Sequence, residues 1–220
     1  TADAARLLQV VAGQHESDPR QMGGAPTQEY VRLVDEAPDD LRGVRIGLVQ
    51  EGFSAQVGMD ERNADAVRGA VERLRALGAD VREVSVPSHF LGGLCAFGSF
   101  FESMTTLTLA GGNGHFHKGD YWEELAIALN QGVKSFGDNF SRQMKLTLIF
   151  GTHLAQRYSG MYYAKAQNLR RVARADHDRA LGEVDVLLMP TTPGQPHAHD
   201  PGLPISTHVQ RGWATLTNTA

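Results

Sequence analysis

The chain has 220 residues, enough for one large domain or two small ones, and its 41% hydrophobic and 21% charged side chains are those of an ordinary folded protein. Lys and Arg number 21 against 25 Asp and Glu, and the resulting net charge of −4 excludes a general nucleic-acid or membrane-surface binder, which needs a concentrated positive field. One cysteine, Cys95, forms no intrachain disulfide, and no apolar run approaches the ~18 residues of a membrane span, so a cytoplasmic protein is expected.

Residues 2–12 (ADAARLLQVVA) carry apolar side chains at helical spacing, with Gly13 as a stop. The polar, proline-bearing stretch 14–38 reads as a long surface connection. Residues 44–49 (VRIGLV) form a strand, and Asp60 caps a helix over 61–77 whose Ala64, Val67, Ala70, Val71, Leu74 and Leu77 share one face. Gly78 ends that helix, and 81–86 (VREVSV) alternates like a second strand, parallel to the first by a right-handed crossover. Helical patterns follow over 89–109, 121–131, 140–158 and 161–181, the first apolar nearly all round. A third strand, DVLLM, lies within 183–189 and ends at Pro190, and a proline-rich loop leads to a last helix near 209–216. Three strands with this many helices do not make a self-sufficient sheet, so the chain reads as part of a larger fold.

No complete catalytic constellation stands in these residues. The nucleophile-elbow pentapeptide Gly-x-Ser-x-Gly does not occur. Gly111-Gly-Asn-Gly114 lacks the lysine and hydroxyl residue of a phosphate loop and reads as a chain reversal. His115 and His117 with Asp120, and His197 and His199 with Asp200, have metal-compatible spacing but sit in polar, turn-rich surroundings without cysteine partners. His153, among apolar residues on a helix, reads as a satisfied core histidine, and Cys95 as a small core residue. Arg170, Arg171 and Arg174 read as a solvated helix face.

Several segments together resemble one family. Residues 1–18 (TADAARLLQVVAGQHESD) resemble the stretch that follows the serine-rich signature of amidase-signature enzymes, and LRGVRIGL at 41–48 resembles a strand of that family. FESMTTLTLAGGNGHF (101–116), KLTLIFGTHL (145–154), YYAKAQNLR (162–170), DVLLMPTTP (185–193) and WATLTNTA (213–220) resemble its further segments in order and spacing. The Gly-Asn-Gly turn and the YAKAQNLR helix resemble actinobacterial broad-range or enantioselective amidases more than the glutamyl-tRNA amidotransferase A subunit.

The resemblance implies an α/β fold, with residues 1–220 the central part of one domain: a partial mixed β-sheet flanked by helices, lacking the N-terminal catalytic segment and the C-terminal strands. It implies amide hydrolysis by a serine, cis-serine and lysine triad with a backbone oxyanion hole and without metal or organic cofactor. All of these parts lie upstream of the position matched by Thr1, so no catalytic residue is assigned and this chain alone is expected to be inactive. Residues 95–102 match a helix that reaches the substrate in related amidases. Phe97 is the best candidate for a wall of the acyl pocket, though ordinary core explains it as well, with Phe101 beside it. Glu102 matches the family glutamate and is expected to take a structural hydrogen-bonding role. Thr191 and Thr192 are expected to cap a strand end near the site. The implied partners are a small-molecule amide, a complementary chain carrying the serine–lysine segment and a second copy in a homodimer, with no nucleic acid and no membrane. The alternatives are an amidase-like subunit of a tRNA-dependent amidotransferase and a non-catalytic remnant acting as an interaction domain.

Overall fold

A computed structural model describes residues 1–15, 17–18, 28–109, 120–195, 202, 204 and 207. In chain order the elements are α1 (Ala2–Val11), α2 (Tyr30–Asp35), β1 (Arg45–Val49), α3 (Glu61–Ala76), β2 (Asp80–Val84), α4 (Leu91–Leu109), α5 (Glu123–Phe136), α6 (Arg142–Tyr158), α7 (Met161–Leu181) and β3 (Val186–Leu188). They fall into two compact units, one of Thr1–Asp39 with Leu107–Gly137 and one of Asp40–Thr106 with Asp138–Ala220.

In the first unit α2 interrupts the stretch expected to be an open connection. The six residues YVRLVD are too few to hold a helix by propensity. Tertiary contact supplies the difference. Tyr30, Val31 and Val34 are half-buried, and the Val31 N–H donates to Gln9 Oε1 of α1 at 3.0 Å. The pair Arg32–Glu36, at 2.9 Å and i,i+4 spacing, adds a small increment on the wet side.

The second unit is built on a three-stranded sheet of order β2-β1-β3, parallel throughout. The α/β class and the parallel strand pair expected from the sequence are both present. Asp60 caps α3 as anticipated, its Oδ1 accepting the Arg62 N–H at 2.9 Å. Gly78, at φ +98°, turns the chain out of that helix in the left-handed region. The buried stripe of α3 is narrower than its pattern: Ala64 and Val71 are buried and Val67 and Leu74 half-buried, whereas Ala70 and Leu77 face solvent. The reason is that one α3 covers a sheet of only three short strands, and a residue 100° round from Val71 already clears it.

Each face of the sheet has its own buried cluster. Ile46, Val71, Ala79 and Val81 pack on the α3 side, and Val49, Val84, Val86, Ala180 and Val184 on the α7 side. A two-way bond locks the entry to β1 and β3. The Arg45 N–H donates to Asp185 Oδ2 at 2.8 Å, the Asp185 N–H returns to the Arg45 carbonyl at 2.8 Å, and the Arg45 guanidinium lies 2.6 Å from Asp185 Oδ1. A second carboxylate, Asp176 of α7, accepts the Ser88 N–H at 2.9 Å and pairs with Arg179 at 2.8 Å.

These two carboxylates make the fold acid-sensitive. The Arg45 hydrogen bonds hold the Asp185 carboxyl at about 2, and the Ser88 N–H followed by Arg179 holds that of Asp176 at about 2. Both lie below the value of about 3.9 in an unfolded chain, so each favours the folded state above that pH, and the benefit disappears as pH falls through about 2. The urea midpoint should therefore drop between pH 4 and pH 2. Asp185→Asn should start from a lower midpoint at pH 5 and fall less over the same interval. An unchanged slope in that variant would remove Asp185 from the account.

Candidate functional site

Three helices of the second unit enclose a groove, and glycine sets how closely they approach. A Cβ on Gly98 of α4 would stand 2.9 Å from the Ala166 Cβ and 3.1 Å from the Tyr162 carbonyl oxygen of α7. A Cβ on Gly151 of α6 would overlap Thr105 Oγ1 and the Phe101 carbonyl oxygen of α4. Side chains bridge α4 and α7 beside these contacts. Gln167 Nε2 donates to Ser99 Oγ at 3.0 Å, and the Tyr163 N–H donates to Glu102 Oε1 at 3.4 Å.

Glu102 is 8% exposed, the burial expected of it, and the structure gives it a definite partner. The N-cap of α7 is Gly160, which offers no side-chain oxygen. The carboxylate arrives instead from α4 and meets the third N–H of α7, where the helix dipole favours negative charge. The bond ties the start of α7 to α4. Glu102→Ala should cost about 1–2 kcal/mol of stability through the lost cap, and Glu102→Gln well under half of that, because an amide oxygen still accepts the bond. Chemical denaturation of both variants tests this: equal losses would mean that the cap plays no part.

Phe97 stands in the wall of the groove, and Phe101 braces it from behind. The two rings meet edge-on at 4.5 Å, and Phe150 of α6 lies 5.7 Å from Phe97 and 4.9 Å from Phe101. The groove has a volume of about 440 Å³ and runs along Leu94, Phe97, Gly98, Phe150, Leu154, Ala166 and Leu169, with His153, Tyr158, Tyr162 and Lys165 as its polar members. That size is within the range of small-molecule sites.

His153 departs from its expected place. It is exposed and stands edge-on to Tyr158 at 6.0 Å rather than in the core. The apolar run around it is divided between two sides of α6: Thr147, Gly151 and Leu154 are buried, while Ile149 is 69% exposed. Cys95 is buried as expected, and burial pushes its thiol pKa up, which fits a core residue rather than a nucleophile. Arg170, Arg171 and Arg174 are exposed.

Thr191 and Thr192 belong to a different locality, the loop after β3, and are not among the residues lining the groove. That loop is tied to the start of α3. The Asp60 N–H donates to the Pro193 carbonyl at 2.6 Å, and Asn63 Nδ2 donates to the Thr192 and Gly194 carbonyls, each at 3.0 Å. The structure thus puts Phe97 in the groove wall, packs Phe101 against it without bringing it into the lining, ties Glu102 to the start of α7, and holds the two threonines apart.

Among the described residues no group of three or more His, Cys, Asp or Glu is arranged to hold a metal, and no helix is long and apolar enough to cross a membrane. The turn at 111–114, the histidines at 115, 117, 197 and 199, and the helix expected near 209–216 lie outside the described residues.

A parallel sheet covered by α3 and α7, with the long helices closing an aromatic-walled groove, defines an α/β protein with a small-molecule-sized site. A family model described as Amidase matches residues 1–218, and the chain belongs to the amidase family. It is 36% identical over 208 residues to the A subunit of glutamyl-tRNA(Gln) amidotransferase from Synechococcus sp. strain WH7803. Over 209 residues it is 37% identical to the corresponding protein of Prochlorococcus marinus strain MIT 9303. Each match covers 91% of this chain and 41% of the relative, so the chain spans about two-fifths of the length of the curated relatives it matches. The crystal structure of the glutamyl-tRNA(Gln) amidotransferase A subunit from Thermotoga maritima has the same fold, with a TM-score of 0.61 and 18% identity, covering 100% of this chain and 41% of that one. These relatives are of the second kind considered from the sequence, the amidotransferase A subunit, and the family is common to both readings.

Proposed function

We propose that residues 1–220 form the central part of a single amidase domain in a cytoplasmic enzyme that hydrolyses a carboxylic amide to a carboxylate plus ammonia or an amine. The observation that carries this reading is the family match over residues 1–218 together with an apolar, aromatic-walled groove of ligand size in the same chain. The serine, cis-serine and lysine belong to the segment that precedes the position matched by Thr1, on the same polypeptide or on a complementary chain. The lysine takes the nucleophile's proton through the bridging serine, and backbone amides hold the developing oxyanion.

Residues 1–220 supply the acyl side of the reaction. Phe97, with Phe101 packed edge-on against it, offers flat apolar area to an alkyl or aryl acyl group, a contact worth about 1–2 kcal/mol for a ring left half-buried. Glu102 fixes α7, and with it the opposite wall. Thr191 and Thr192 lie in the loop after β3, where Asn63 Nδ2 holds the Thr192 carbonyl, and contribute to the site only through the position of that loop.

The test is labelling with a fluorophosphonate, read beside intact mass. Residues 1–220 alone, at 23.9 kDa, should take no label and release no ammonia from simple amides. The protein joined to its serine–lysine segment should do both. Labelling of the 23.9 kDa chain by itself would overturn the assignment of the nucleophile to another segment. A second reading is favoured by the names of the relatives: the protein is the A subunit of a tRNA-dependent amidotransferase. Turnover that needs partner subunits and aminoacylated tRNA would select that reading, whereas turnover of simple amides by a monomer or homodimer would select the first.

A further inference from the structure

Lys165 is the cation of the groove. It sits on α7, solvent-exposed, and makes no ion pair or hydrogen bond among the described residues. Among the described residues, none of the side chains lining the groove is acidic. The nearby carboxylate, Glu102, is committed to the Tyr163 N–H at the start of α7. Around Lys165 the floor is hydrocarbon and aromatic, from Leu94, Phe97, Phe150 and Leu169, and the Tyr158 and Tyr162 rings stand 4.9 Å apart at the same mouth. A lone ammonium at the edge of an apolar trough with no acid to neutralise it favours a ligand with an apolar body and one negative end. A carboxylate suits it better than a phosphate, which carries more charge and is usually met by several cations or by a bidentate arginine.

We propose that the groove binds an apolar carboxylate, with the aryl or alkyl body on Phe97 and Leu169 and the carboxylate on Lys165. The idea deepens the acyl-wall reading and rests on it for the identity of the ligand. The preferred amides are then those whose acyl group is apolar and ends in a second, ionised carboxyl.

Binding of three matched probes to the full chain, 4-phenylbutyrate, 4-phenylbutanol and 4-phenylbutylamine, tests it by calorimetry. The acid should bind about fivefold more tightly than the alcohol, the upper range for an exposed ion pair, and the amine most weakly. Lys165→Met should bring the acid level with the alcohol, and Lys165→Glu should put the amine first. Both substitutions are at an exposed position, and an unchanged circular-dichroism spectrum confirms that each variant is folded. Equal binding of acid and alcohol to the unaltered chain would overturn the proposal, as would full affinity for the acid in Lys165→Met, or no binding of any probe. The outcome is separable from that of the amidase reading. Carboxylate binding through Lys165 with no amide turnover in the joined protein would sink the hydrolase and leave the anion site. Turnover that ignores Lys165 would do the reverse.

Discussion

Gly151→Ala should lower the thermal midpoint by roughly 6–12 °C, the equivalent of about 3 kcal/mol in a chain of this size. The added methyl has nowhere to go. It would overlap both the Thr105 hydroxyl and the Phe101 carbonyl oxygen, and the Phe101 carbonyl carbon would be 2.9 Å away. A side chain could rotate aside, but the carbonyl is part of the α4 backbone, so relief requires α4 and α6 to separate. Separation would also pull apart the Phe101–Phe150 contact at 4.9 Å and open the groove from beneath. The loss should therefore exceed that of an alanine at Gly132 of α5, where a Cβ meets nothing within 4 Å and helix propensity makes the change neutral or stabilising. A thermal melt of the two variants side by side checks this. Equal midpoints would show that α4 and α6 are not in the close contact described.

Gly47→Val should cost a similar amount, about 3 kcal/mol, by acting on the sheet instead of the helices. Gly47 is the middle residue of β1, paired with Arg82 of β2 and Leu187 of β3. A Cβ there would be 2.9 Å from a γ-methyl of Val184 and 2.9 Å from one of Val84, both in the buried cluster on the α7 side. Valine is the better strand former, so propensity alone would predict a gain. A fall in the urea midpoint with unchanged far-ultraviolet circular dichroism would mean that packing decides at this position, and a rise would refute it.

Much of the fold is legible in the sequence because its signals are local. The strand readings at 44–49, 81–86 and 183–189 find β1, β2 and β3 with shifted or trimmed ends, since apolar alternation marks a strand but not where pairing stops. Asp60 and Gly78 announce the two ends of α3 through capping chemistry. α2 escapes such a reading because six residues held by contact with α1 leave no periodic pattern.

The site is harder to read. Phe97, Phe101 and Glu102 stand out on one helix, but their roles follow from residues some 50 to 60 positions away, Phe150 and Tyr163. Lys165 and Tyr162 lie inside the YYAKAQNLR motif, and Tyr158 just before it, yet the motif alone gives them no role. The available signal is spacing: Tyr162, Lys165, Ala166 and Leu169 recur at three and four residues and so share one face of α7, while Tyr158 ends α6 on the far side of the turn at Ser159 and Gly160. His153 is misplaced by its pattern because a short apolar run on a helix does not tell which of its two sides a neighbour will cover.

The contact glycines also bear on redesign of the groove. Positions 98 and 151 look like natural targets for saturation mutagenesis because one lines the groove and the other lies close beneath it, yet each is where two backbones touch. A combinatorial library that varied them would be populated mostly by chains that fail to fold, and its few survivors would report on helix spacing rather than ligand preference. Leu94, Phe97 and Leu169 line the same space with side chains, not backbone. Substrate range is best re-engineered through those three, with the glycines held fixed.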